Sequence, residues 1–78
     1  MNNAPLRIPA PVGSREELFE FIEEIAALAR IQAGLAETNA QIGDPIGMGY
    51  AARRLAGYTK AILTTLADIQ AMGAGDAQ

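Results

Sequence analysis

Gly43-Asp44-Pro45-Ile46-Gly47 is the stretch that decides how this chain folds, because a long apolar stripe lies on either side of it. Gly43 suits the residue just past a helix C-terminus, where glycine adopts the left-handed backbone without a Cβ clash. Asp44 suits the N-cap of a following helix, and Pro45 suits its first position, where a missing N–H costs nothing. The stretch therefore reads as a stop and a restart with almost no loop between them. Gly47 and Gly49 delay the expected onset of regular helix to about Met48 or Tyr50.

Working outward, the upstream stripe is Leu18, Phe21, Ile25, Leu28, Gln32, Leu35, Asn39 and Ile42. The downstream stripe is Met48, Ala51, Leu55, Tyr58, Ile62, Thr65 or Leu66, Ile69 and Met72. Both alternate steps of three and four, which places each stripe on one side of an α-helix. The first helix opens at Ser14, an N-cap with Glu17 three residues on in a capping box. Glu16, Glu17 and Glu20 complement its positive end. The helices are expected over about 15–42 and 46–72, with Gly73 and Gly75 ending the second. Residues 1–13 read as an extended arm containing Pro5, Pro9 and Pro11, from which Leu6, Ile8 and Val12 can press on a surface. Residues 74–78 read as a flexible tail.

So tight a turn forces the helices antiparallel, and residues whose numbers sum to about 87 should then lie across from one another. Leu18 is expected to meet Ile69, Ile25 to meet Ile62, Leu28 to meet Tyr58 or Thr59, and Leu35 to meet Ala52. Small residues (Gly34, Ala36, Ala51, Ala52, Ala56, Gly57) should let the helices approach closely near the turn. Gln32 is read as a seam position that sets register, and Asn39 as exposed.

A chain of 78 residues, half of them hydrophobic, makes one domain at most. It has no cysteine, histidine or tryptophan, which removes disulfides, thiolate metal sites and the commonest general base. No cofactor and no metal site are expected. The net charge of −3 disfavours broad phosphate binding. No apolar leader and no run long enough for a membrane span is seen, so a cytoplasmic protein without membrane association is the expectation.

A single hairpin of this size rarely supplies enough core to hold itself together. Phe19, Ile22, Ala29, Ile31 and Ala36 flank the first stripe, and Leu63 and Leu66 the second. The expected architecture is therefore an all-α antiparallel two-helix hairpin that dimerises into a four-helix bundle. Its oligomer interface is assigned to Leu18, Phe21, Ile22, Ile25, Leu28, Gln32, Leu35, Leu55, Tyr58, Ile62, Leu66 and Ile69. Glu16, Glu17, Glu20, Glu23 and Glu24 crowd the open end while Arg53 and Arg54 lie near the turn, which favours an antiparallel dimer.

The glycine-rich turn lacks the strand and Lys-Ser/Thr of a phosphate loop, and the glutamates read as a solvated face. The expected role is a non-enzymatic protein–protein interaction module, with itself and an unidentified protein as partners. Arg53, Arg54, Tyr50 and Lys60 are the possible partner or ligand contacts. One alternative is a nucleic-acid-associated regulator using that basic half-helix, against which six basic residues stand beside nine acidic ones. The other is a small enzyme or ligand-binding bundle with Arg30, Gln32, Arg53, Glu24 and Lys60 converging between subunits.

Overall fold

The computed structural model describes residues 10–76, with side chains through Gly73. Two helices account for nearly all of it, α1 (Arg15–Gln41) and α2 (Pro45–Asp76). At 1.5 Å per residue they are about 40 and 48 Å long, and they pack against each other as a hairpin. Most of the expected arm, residues 1–9, lies outside the described residues. Of its three apolar residues only Val12 is described, and it stands in solvent at 95% exposure.

The start of α1 is set by local hydrogen bonding. Ser14 has extended backbone, and its hydroxyl oxygen accepts from the Glu17 N–H at 3.2 Å. The Glu17 carboxylate reaches back one residue further than a capping box would take it, accepting from the Gly13 N–H at 2.6 Å. The turn at Pro11–Ser14, closed by Ser14 N–H donating to the Pro11 carbonyl at 3.0 Å, exposes the Gly13 N–H to that carboxylate.

Three residues suffice for the reversal. Gly43 has φ +71°. The Asp44 N–H donates to the Asn39 carbonyl at 2.8 Å, and the Gly43 N–H to the Ala40 carbonyl at 3.2 Å, so the last carbonyls of α1 are satisfied. Asp44 then caps α2, its Oδ1 accepting from the Gly47 N–H at 3.0 Å. Helix begins at Pro45, earlier than the glycines suggested, because this cap and the proline outweigh their poor propensity. A Cβ on Gly47 would lie 2.5 Å from Asp44 Oδ2 and 3.0 Å from Asn39 Cγ, so glycine there keeps room for the cap. Replacing Gly43 with alanine should cost about 1 kcal/mol, the penalty of a side chain in left-handed backbone, read as a lower urea midpoint.

The far end of α2 differs from expectation. The helix runs through Gly73 and Gly75 to Asp76 rather than stopping near Met72. Neither glycine adopts the positive φ of a helix stop; among the described residues only Gly13 and Gly43 do. Glycine weakens a helix by about 1 kcal/mol but ends it only when the backbone turns left-handed.

The seam of α1 also differs. Its half-buried positions are Glu17, at the capped end, and then Leu18, Ile22, Ile25, Ala29, Gln32, Ala36 and Asn39. Leu18, Ile25 and Gln32 were expected there, but Ile22, Ala29 and Ala36 take the places foreseen for Phe21, Leu28 and Leu35. Those three are exposed at 40, 42 and 47%, so the proposed pairs of Leu28 with Tyr58 and Leu35 with Ala52 do not form the seam. The reason is steric and acts toward the turn: there Ala29 and Ala36 let two helix axes approach where Leu28 and Leu35 would hold them apart, while Leu18, Ile22 and Ile25 fill the seam at the open end. Ala36 and Ala51 line this close approach, while Gly34, Ala52, Ala56 and Gly57 lie outside it. On α2 the expected stripe is largely kept. Ala51 and Ile69 are buried, and of the Thr65–Leu66 pair it is Thr65 that turns inward. Its hydroxyl donates to the Ala61 carbonyl at 2.9 Å, so the buried polar atom is satisfied within its own helix. Asn39, expected to be exposed, is half-buried, its side chain lying against Gly47.

Gly34 weakens α1 with no compensating contact, since a Cβ there would meet nothing within 4 Å. Gly34→Ala should therefore stabilise the protein by about 1 kcal/mol, measured as a raised urea midpoint at constant m-value.

Candidate functional site

The hairpin has two flanks. On one, α1 presents Phe21, Leu28, Leu35 and Ile42, each seven residues after the last. Glu17, Glu24 and Ile31 interleave with them on the same line. The facing line of α2 is Tyr50, Arg54, Gly57, Ala61, Thr64 and Asp68, again in steps of four and three. In an antiparallel pair, corresponding flanks of the two helices fall on the same side. That juxtaposition is visible near the turn, where Leu35, Tyr50, Ala51 and Arg54 border one open depression of ≈ 500 Å³. It recurs at the open end, where Glu17, Glu20, Phe21, Glu24 and Thr65 border another of ≈ 460 Å³. This flank is thus an apolar ridge and trough, acidic at its open end and carrying Arg54 beside Asp44 at its turn end.

Arg54 is the organised cation of the turn end. Its guanidinium carbon sits 5.7 Å from the centroid of the Tyr50 ring. Tyr58 stands one turn further along, so the guanidinium lies in a ladder at i, i+4 and i+8. Hydrogen bonding toward Tyr58, and after it Tyr50, raises the Arg54 pKa above its ordinary value. The group is cationic at any pH at which the protein folds. Stacking on an aromatic ring restricts it before any partner arrives.

The four residues assigned to partner contact do not form one patch. Tyr50 and Arg54 share the flank just described. Arg53 and Lys60, seven residues apart, lie on the side of α2 away from α1 and are exposed. Arg53 folds back along its helix, its Nη1 3.4 Å from where a Gly49 Cβ would be. The residues considered for an intersubunit site also diverge within the chain. Arg30 shares a shallow surface with Glu23, Ala26 and Ala27, whereas Gln32 borders the depression of Arg54. Of the assigned oligomer interface, Leu18, Ile22, Ile25, Gln32, Leu55, Tyr58, Ile62 and Ile69 are buried or half-buried along the hairpin's own seam. Phe21, Leu28, Leu35 and Leu66 remain exposed.

The other flank carries Phe19 on α1, with Met48 and Leu66 on α2; Phe19 is covered by Arg15, whose guanidinium carbon lies 5.3 Å from the ring centroid. Leu63 lies further out on the same side. Asp68 was not singled out in the sequence. The signal was present, since it stands eighteen residues, or five helical turns, beyond Tyr50 and hence on the same line.

Among the described residues no three His, Cys, Asp or Glu side chains converge on a point that could hold a metal ion. No described helix is long and apolar enough to cross a membrane. No protein family, characterised protein or solved structure matches the chain.

Proposed function

We propose that this chain is a non-enzymatic protein–protein interaction module that works as a homo-oligomer, two hairpins completing a four-helix bundle. Such a unit would serve as an adaptor, a small regulatory subunit or an assembly component. One observation carries the reading. Among the described residues only Ala51, Thr65 and Ile69 are buried, and twelve large apolar side chains are exposed. Two helices cannot enclose each other, so apolar side chains lining a flank are covered only by a further layer. An apolar surface of this extent on a small domain marks an interface. The open, shallow depressions give nothing a substrate could be sequestered in, which favours association over catalysis.

The test is the mass in solution. Light scattering on the eluting protein should give about twice the 8.2 kDa of one chain. Its thermal midpoint should rise with protein concentration, because association stabilises only the folded state. A monodisperse monomer with a concentration-independent midpoint overturns the proposal.

A further inference from the structure

We infer that the second copy docks on the Phe21–Leu28–Leu35 flank, antiparallel, about a two-fold axis that passes beside Leu28. This rests on the homo-oligomer reading above and names the surface that reading would use.

Three features of the flank agree on one axis. The first is charge. The flank is acidic at its open end, with Glu17, Glu20, Glu24 and Asp68. Among the described residues its one cation, Arg54, lies at its turn end, where Asp44 borders the same depression and is held by the α2 cap. A parallel mate would set carboxylates against carboxylates, a juxtaposition that disfavours association. An antiparallel mate brings each Arg54 to the acidic end of the other copy. The second is size. On α1 the large side chains lie symmetrically about Leu28, with Phe21 seven residues before it and Leu35 seven after. A two-fold axis there sets Leu28 against its own copy and Phe21 against the Leu35 of the second copy. The third comes from α2. Gln32 and Arg54 border one depression, and Phe21 and Thr65 another, so Leu28 lies level with about Tyr58–Thr59. The same axis therefore pairs Gly57 with Ala61 of the second copy, small against small, and sets Tyr50 and Arg54 beside Asp68. Gly57 has nothing within 4 Å of a built Cβ in the single hairpin, and a close helix–helix approach at this point supplies a use for it.

The Tyr50–Arg54–Tyr58 ladder is the specific element of this contact. A guanidinium already stacked on Tyr50 loses less freedom on meeting a carboxylate than an unsupported one. The axis makes two such contacts per dimer, one at each end.

The absence of cysteine from the chain makes the test direct. Leu28→Cys places a single thiol beside the axis, where two copies bring their Cβ atoms within disulfide reach of about 4 Å. Mild oxidation should convert most of the protein to a covalent dimer on a denaturing gel, and Leu63→Cys, on the opposite side, should remain single-chain. In parallel, Arg54→Glu should raise the dimer dissociation constant about tenfold at low salt, and Arg54→Glu with Asp68→Arg should recover most of that loss. A dimer by light scattering in which Leu63→Cys crosslinks and Leu28→Cys does not overturns this geometry and leaves the interaction module standing. A charge pair that shows no recovery overturns the antiparallel charge match. A wild-type monomer removes both proposals.

Discussion

Truncating Ile69 to alanine is expected to cost about 3 kcal/mol, the largest loss from any single side-chain deletion in the seam. Ile69 is 5% exposed, the only large apolar side chain among the described residues that is buried outright. It lies at the Leu18 end of the hairpin, where Leu18, Ile22 and Met72 are half-buried. The cost combines lost transfer free energy with a cavity that two rigid helices cannot close. For a small chain with a few kcal/mol of total stability, that is enough to unfold much of the population. Leu66→Ala, three residues away and 39% exposed, should cost well under half as much in the single chain. Urea titrations followed by helical circular dichroism, at matched protein concentration, separate the two. Equal losses would mean that the seam is not where the burial pattern puts it.

Enlarging Ala51 to phenylalanine should destabilise by about 1–3 kcal/mol, while the same change at Ala52 should be nearly neutral. Ala51 is 2% exposed and shares the turn-end depression with Gln32, Leu35 and Asn39 of α1. A ring there must either part the helices or swing out of the seam into the open depression beside it, leaving its preferred rotamer. Ala52 is exposed, and a ring there reaches solvent. The pair tests the register of the hairpin at single-residue resolution, because a rotation of α2 by one position would reverse the two results. The readout is the urea midpoint of each variant against wild type.

How much of this was written in the residues is clearest at the turn. Gly43, Asp44 and Pro45 each have one strong local preference, and the three preferences agree, so the reversal was legible without any tertiary information. The same holds for Ser14 at the start of α1. The end of α2 was misread because a glycine run is ambiguous: it permits a left-handed stop but does not impose one. The candidate surface was half legible. Arg54 and the glutamates suggested an antiparallel relation between copies, but Asp68 was missed, and Arg53 and Lys60 were grouped with Arg54 although helical spacing sends them to another face.

The residue order by itself determined two helices, their sharp antiparallel reversal and an apolar surface larger than two helices can bury. These follow from backbone preferences and periodicity, which act within a few residues along the chain. It did not determine which side of α1 meets α2. Together with Leu18, Ile25 and Gln32, Phe21, Leu28 and Leu35 complete as good a three-and-four stripe as Ile22, Ala29 and Ala36, since the apolar arc of α1 is wider than one seam. The tertiary structure decided between them by volume. Toward the turn two helix axes come together over Ala29 and Ala36 more closely than over Leu28 and Leu35, so the smaller line turned inward and the larger was left facing out.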